Sequence, residues 1–154
     1  MYLILLPLHS LVRWLVLLSL LFAIYRAYRG WLGKTPYSKV DERTRIITTT
    51  IAHIQLVIGL WLYFISPIVN YFLHNFKAGV HERVIRFFGM EHITMMLIAI
   101  TLITIGAAKA KRKTTDADKF KTMAIWFTIS LLLILSSIPW SFSPLISRPL
   151  FRAF

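Results

Sequence analysis

The sequence predicts an all-α membrane protein, a four-helix transmembrane bundle that runs up-down-up-down, and three observations lead to this fold class. Hydrophobic residues make up 57% of the 154 residues, whereas charged residues make up only 16%. Four apolar stretches are each long enough to cross the ~30 Å hydrocarbon core of a bilayer. Basic residues gather in the short segments between these stretches. We therefore expect residues 1–154 to form a single transmembrane domain, with no room for a second, soluble one.

The first two predicted spans cover residues 3–27 and 46–69. Pro7 lies near the beginning of the first span, where a helix tolerates proline. The N-terminus has no basic residue and no small-residue cleavage site follows the apolar run, so we expect this span to stay in the mature protein. In the second span, Ser66-Pro67 predicts a kink or an end.

The third and fourth predicted spans cover residues 87–108 and 122–140. An aromatic-rich segment, residues 71–88, precedes the third span, and its mixture of aromatic and polar side chains suits a membrane interface. The tail, residues 141–154, contains two prolines and is too short to span, so we expect it to lie along the interface.

The distribution of Lys and Arg predicts the orientation. The segments after spans one and three carry six each, the segment after span two carries three, and the tail carries two. Because the more basic loops stay in the cytoplasm, both termini are expected outside. The net charge of +12 does not indicate nucleic-acid binding, since the basic residues do not alternate with aromatic ones on one face.

Five ionisable residues lie inside the predicted spans, where they are costly and usually face the bundle interior: His9, Arg13, His53, Glu91 and His92. At ~1.5 Å per helical residue, His9 and His92 lie roughly 10 Å and roughly 8 Å from the outer surface, and His53 lies roughly 10 Å from the inner one. Two axial imidazoles of one haem must come from facing helices at one level. The sequence therefore predicts His9 and His92 as axial ligands of a haem iron.

The remaining ionisable residues allow more than one interpretation. Arg13 lies one turn from His9 on the same helix face and is expected to pair with a haem propionate or, as a structural ion pair, with Glu91. His53 is interpreted as a second cofactor ligand, with Met123 as a partner, or as a group that contacts a proton or a quinone.

The same histidines also suit hydrogen bonding between helices and copper binding. The histidines can instead form interhelical hydrogen bonds, and Met90 and Met96 beside His92 suit copper(I). His74 and His81 are interpreted as surface histidines. The absence of cysteine excludes iron–sulfur clusters and covalently attached haem. No nucleophile has a credible base, so an electron-transfer or accessory subunit is favoured over a stand-alone enzyme.

Three stretches and the ending Ile138-Pro139-Trp140-Ser141 resemble a family of small bacterial four-helix membrane proteins labelled cytochrome b-like. The stretches are Leu8-His9-Ser10-Leu11-Val12-Arg13-Trp14, Ala52-His53-Ile54-Gln55-Leu56-Val57-Ile58-Gly59 and Gly89-Met90-Glu91-His92. The first span is also distantly similar to membrane cytochrome b subunits of respiratory dehydrogenases and hydrogenases. The resemblance implies haem b, exchange of electrons with quinone and a bacterial inner membrane. Span four departs from those subunits because it has no histidine.

The sequence thus predicts a haem b-binding electron-transfer protein or subunit. Its expected partners are the lipid bilayer, a quinone, and a larger membrane complex or further copies of the chain. The alternatives are a cofactor-free accessory or scaffold subunit and a copper-handling membrane protein.

Overall fold

The computed structural model describes residues 1–141 and 146, and these residues fold into helices without a strand. Four helical stretches are long and apolar enough to cross a membrane: Tyr2–Leu32, Lys39–Ile65, Arg83–Lys111 and Asp116–Ser137. The all-α fold class with four candidate spans is confirmed, and it indicates an integral membrane protein. The predicted interfacial tail lies outside the described residues, except for Ser141 and Ile146.

The helices in chain order are α1 to α7, with one π-helical turn before α6. Their bounds are α1 Tyr2–Leu32, α2 Lys39–Ile65, α3 Pro67–His74, α4 Phe76–Gly79, α5 Arg83–Arg86, the π turn Phe87–Glu91, α6 His92–Lys111 and α7 Asp116–Ser137.

The helices do not coincide with the predicted spans, because a helix can extend beyond the part that crosses a membrane. Helix α1 continues five residues beyond the predicted end to Leu32, and α2 begins at Lys39 rather than at 46. Arg and Lys are good helix formers, so a helix continues after its sequence stops being apolar. At the other end, α2 stops at Ile65, as Ser66-Pro67 predicted: Pro67 is the first residue of α3, and the Ser66 hydroxyl caps that helix at the Val69 amide.

The four long helices pack around one core. Helix α1 packs against α2 and α7, and α6 packs against α7 and α2. Small residues bring the backbones close, as is common between helices in membranes. At Gly106 of α6, for example, a Cβ atom would lie only 2.4 Å from the Cβ atom of Trp126 on α7. These close contacts fix the helices at a spacing that also determines the width of the space between their ends.

One end of the bundle, here called the basic end, joins the last turns of α1 and α6 to the first turns of α2 and α7. Asp41 is 1% exposed there. Its Oδ2 atom accepts hydrogen bonds from the Ser38 amide at 2.9 Å and the Ser38 hydroxyl at 2.6 Å. Its Oδ1 atom accepts one from Arg26 Nε at 2.8 Å. The carboxylate therefore caps α2 and ties it to α1.

A second polar group at the basic end ties α2 to α6. Arg45 is buried, pairs with Glu42, and donates to the Ala107 carbonyl at 3.2 Å. Tyr37 donates to Glu42 Oε2 at 3.2 Å. Burial, reinforced by the Glu42 charge, raises the pKa of Tyr37, so its hydroxyl remains protonated and continues to donate.

Candidate functional site

The opposite end, here called the histidine end, brings His9 of α1 and His92 of α6 together. Their ring centroids lie 6.4 Å apart, and the ring planes meet at 76°. Two imidazoles that bind one metal from opposite sides, each with its nitrogen about 2 Å from the metal, have ring centres roughly 6 Å apart. The observed spacing matches that of two metal-binding imidazoles, and it also matches an edge-to-face contact between two rings.

His92 is fixed by its neighbours in one protonation form. Its Nδ1 atom lies 2.9 Å from the backbone carbonyl oxygen of Ser137 on α7. Because a carbonyl only accepts, Nδ1 carries a proton, and in the neutral imidazole Nε2 then keeps its lone pair. The Phe87 and Phe88 rings lie 5.7 Å and 6.4 Å from the imidazole. A metal binds an imidazole nitrogen through its lone pair, so this tautomer leaves Nε2 able to bind a metal.

His9 rests against a glycine of the neighbouring helix. A Cβ atom at Gly59 would lie 3.1 Å from His9 Cε1 and 3.6 Å from His9 Nδ1. Gln55, one turn earlier on α2, donates from Nε2 to the His9 backbone carbonyl at 2.9 Å. Within residues 1–141 and 146, neither His9 Nδ1 nor Gln55 Oε1, both buried, has a hydrogen-bond partner.

The two histidines line a partly open cavity of about 340 Å³ between α1, α2 and α6, closed at one side by the end of α7. This volume lies within the range of small-molecule pockets, roughly 300–1,000 Å³. Most of the lining is apolar, as is usual for such pockets. The polar lining residues are Tyr2, His9, Ser10, Arg13, Gln55, Tyr63, Ser66 and His92.

Arg13 also lines the cavity, one turn from His9. Its Nη2 atom lies 3.4 Å from the Ser10 hydroxyl, and its guanidinium carbon lies 5.4 Å from the centre of the Trp14 ring. The expected ion pair with Glu91 was wrong: Glu91 Oε1 accepts from Arg86 Nε at 2.6 Å. Residues 86 and 91 lie five apart, the separation that a π turn brings onto one helix face.

The π turn Phe87–Glu91 directly precedes His92 and was not predicted from the sequence. The His92 amide donates to the Phe87 carbonyl, five residues earlier. Tyr63 of α2 donates to the Gly89 carbonyl at 2.9 Å. A Cβ atom at Gly89 would lie 2.4 Å from Phe72 Cγ, so glycine lets the Phe72 ring of α3 cover this backbone. Turns of this kind are frequent at functional sites, and here it sets the direction of His92.

His53 does not line the cavity. It is exposed in the middle of α2, and its Nε2 atom lies 2.9 Å from the Thr104 hydroxyl. That hydroxyl donates to the Ile100 carbonyl at 2.8 Å, so it accepts from His53 Nε2. Met123, which the sequence suggested as its partner, is fully buried, and its sulfur lies 3.6 Å from the Tyr37 hydroxyl oxygen. The structure therefore separates His53 from the site that holds His9, Arg13 and His92.

His74 and His81 are exposed, and His74 Nδ1 lies 2.9 Å from the Asn70 carbonyl of its own helix. In the part of the chain that the structure describes, no group of three or more His, Cys, Asp or Glu side chains is placed to hold a metal ion. A haem iron needs only two protein ligands, whereas a metal ion held by protein alone usually needs more.

Comparison with known proteins gives no match: no protein family, no curated protein and no solved structure is similar to the chain.

Proposed function

We propose that the chain is a haem b-binding membrane electron-transfer protein in which His9 and His92 supply the two axial nitrogens. The observation that carries this proposal is a pair of imidazoles from two helices, with ring centroids 6.4 Å apart, that line one cavity within the bundle. Bound haem supplies a one-electron couple, and the protein tunes it through its ligands and surroundings. The polar groups of this site suit haem, because two imidazoles can bind the iron and one guanidinium can bind a propionate.

The lining residues have distinct roles in this proposal. The Ser137 carbonyl holds the Nδ1 proton of His92, which leaves Nε2 for the iron. Gly59 leaves room for the His9 ring. Arg13 provides a positive charge for a propionate, and a charge-assisted hydrogen bond of this kind is about twice as strong as a neutral one.

The proposal includes an orientation. With the basic end in the cytoplasm, the bundle runs up-down-up-down and both termini lie outside. The histidine end then lies near the outer surface of a bacterial inner membrane. The proposed electron-exchange partner at this end is a quinone or a redox subunit of a larger complex.

A second candidate, a cofactor-free accessory subunit, is favoured by two interhelical hydrogen bonds. Gln55 donates to His9 O, and His92 donates to Ser137 O, so the same residues link α2 to α1 and α6 to α7. Such bonds stabilise helix packing in membranes by about 0.6 kcal/mol on average. An edge-to-face contact of the two rings gives the same spacing without a cofactor, and haem binding is preferred because both rings line a cavity together with Arg13. The copper alternative has only Met96 beside His92 in the cavity lining.

A visible spectrum of the purified, haem-supplied protein tests the proposal. We expect sharp reduced bands of low-spin haem b, which His9→Ala or His92→Ala abolishes or converts to a high-spin spectrum. His74→Ala and His53→Ala are the matched controls and should leave the bands unchanged, because neither residue lines the cavity. A wild-type protein that binds no added haem would refute the proposal and favour the accessory role.

A further inference from the structure

We propose that the basic end carries a binding site for an anionic phospholipid, in which the Lys109 ammonium binds the headgroup phosphate. The site lies where α6 packs on α7, here called the lipid seam, and it is formed by Ile105 and Lys109 of α6 and by Trp126 and Ile129 of α7. None of these residues lines the cavity at the histidine end, so the site does not depend on haem binding.

Lys109 is held in place at the seam but keeps hydrogen-bond donors for a ligand. Its ammonium nitrogen lies 4.6 Å from the centre of the Trp126 ring. An ammonium group has several N–H donors, and the face of one ring does not occupy them all. Lys109 is exposed, so an anion can reach it. Because the ring already orders this side chain, binding costs less rotamer entropy than at a freely moving lysine.

Close packing of the two helices fixes Trp126 beside Lys109. A Cβ atom at Gly106 would lie 2.4 Å from Trp126 Cβ and 2.9 Å from Trp126 Cγ, so only glycine lets the indole rest here on the α6 backbone. Gly106 lies one turn before Lys109, so one face of α6 supplies both the support for the indole and the ammonium over it. Tryptophan at the end of a membrane span typically lies at the level of the lipid headgroups.

The positive charge around the lipid seam is not compensated by the protein. Residues 109–121 carry six Lys and Arg side chains but only two carboxylates. In the described part of the chain, the ion pairs at the basic end use Arg26 and Arg45, whereas Lys109, Arg112 and Lys113 form none. Clusters of roughly four to eight basic residues directly beside a transmembrane helix are typical of sites for anionic headgroups.

An apolar path leads from the indole toward the middle of the membrane. Ile105 lies one turn before Lys109 and Ile129 about one turn after Trp126, each on the same face of its helix. Both isoleucines are exposed, at 37% and 47%. A phospholipid joins a charged headgroup to apolar chains, and the seam presents the matching order of ammonium, indole and isoleucines. This order favours a lipid over free phosphate or an acidic protein.

Native mass spectrometry of the full chain in a neutral detergent tests the proposal, with phosphatidylglycerol and phosphatidylcholine of identical acyl chains as probes. We expect the wild type to prefer phosphatidylglycerol, because the choline cation is repelled by the basic cluster. Lys109→Gln should weaken phosphatidylglycerol binding about fivefold, since one basic residue near an anionic headgroup contributes about 1 kcal/mol. Lys109→Arg should retain the binding, because guanidinium also binds phosphate.

Lys34→Gln is the matched control, because it removes the same charge from the same end. Lys34 is exposed and lies over no aromatic ring of the described chain. We expect Lys34→Gln to bind phosphatidylglycerol as the wild type does. Equal weakening by Lys34→Gln and Lys109→Gln would show a diffuse positive field and overturn the proposal, as would equal affinities of the wild type for the two lipids.

Thermal unfolding separates lipid binding from a purely structural role of the contact between Lys109 and Trp126. A contact that only holds α6 to α7 would make Lys109→Gln and Trp126→Leu lower the Tm equally in either lipid. A bound ligand raises the Tm, so phosphatidylglycerol near its wild-type Kd should raise it in the wild type and Lys34→Gln, and clearly less in Lys109→Gln. A rise of the same size in Lys109→Gln would overturn the proposal.

Discussion

At the scale of single residues, Gly59 decides whether the His9 ring can lie where it does. An added methyl group would come within 3.1 Å of His9 Cε1, closer than ordinary van der Waals contact. We expect Gly59→Ala to turn the imidazole and to weaken haem binding about tenfold, the lower end of the range for residues that orient metal ligands. Haem titration followed by absorbance measures the affinity.

Val57→Ile is the control for Gly59→Ala, because it also enlarges α2 but on a face that is 63% exposed. Equal affinities of Gly59→Ala and the wild type would show that the ring has room to move and that Gly59 is not required.

Replacing Arg13 tests whether its guanidinium binds a haem propionate. Removing one charge-assisted hydrogen bond costs about 1.5–3 kcal/mol, so Arg13→Leu should weaken haem binding roughly 10–100-fold. Glu91→Gln should not rescue it, because Glu91 pairs with Arg86. Haem affinities of the two single variants and the double variant form a cycle. Rescue by Glu91→Gln would show that the carboxylate, rather than a propionate, is the partner of Arg13.

The sequence allowed part of this site to be predicted. Depth along a helix follows from residue counting, which placed His9 and His92 at one level. The direction of a side chain around the helix depends on backbone geometry, and the π turn before His92 changes that direction. Ser137 acts through its backbone carbonyl, and Gly59 acts through a missing side chain. Neither contribution has a signature in the residue types alone.

At the scale of helices, Asp41 and Asp118 are a natural pair for measuring what capping contributes. Each lies three residues after a capping hydroxyl, that of Ser38 or Thr115, which accepts from the aspartate amide. Asp118 is exposed, whereas Asp41 is buried and also binds Arg26.

We expect Asp41→Ala to lower the free energy of unfolding by about 2–4 kcal/mol, because it removes both a capping partner and the partner of Arg26. Asp118→Ala should cost about 1 kcal/mol or less. Unfolding by a denaturing detergent in mixed micelles measures both. Similar losses in the two variants would show that the Arg26 contact adds nothing to the cap.

Helix ends illustrate what hydropathy does and does not predict. The length of the apolar stretches identified all four long helices. A membrane span must form its backbone hydrogen bonds within itself, as a helix does, and must be about 20 residues long. It did not identify the extra turns at the basic end, since arginines there continue α1 as far as Leu32. Those turns carry the Arg26–Asp41 contact, so this contact could not be predicted from the spans.

At the scale of the whole molecule, the orientation can be read directly because the chain contains no cysteine. Single cysteines at Thr114 and His81, both exposed, mark the basic end and the segment before the π turn. We expect an impermeant thiol reagent added to intact cells to label His81→Cys and not Thr114→Cys, because the more basic loops stay inside. The reverse pattern would invert the orientation and place the histidine end near the cytoplasm.

The π turn also has a consequence for how this chain can change over generations. A helix that gains one residue while both of its ends stay packed holds the extra residue as a π turn. One residue corresponds to about 100° of rotation, so losing any one residue from Phe87–Glu91 would turn α5 and its aromatic neighbours against α6. A relative that had one residue fewer at this turn would keep the same four apolar spans. With α6 held in place, its counterparts of Phe87 and Phe88 would turn away from the imidazole that corresponds to His92.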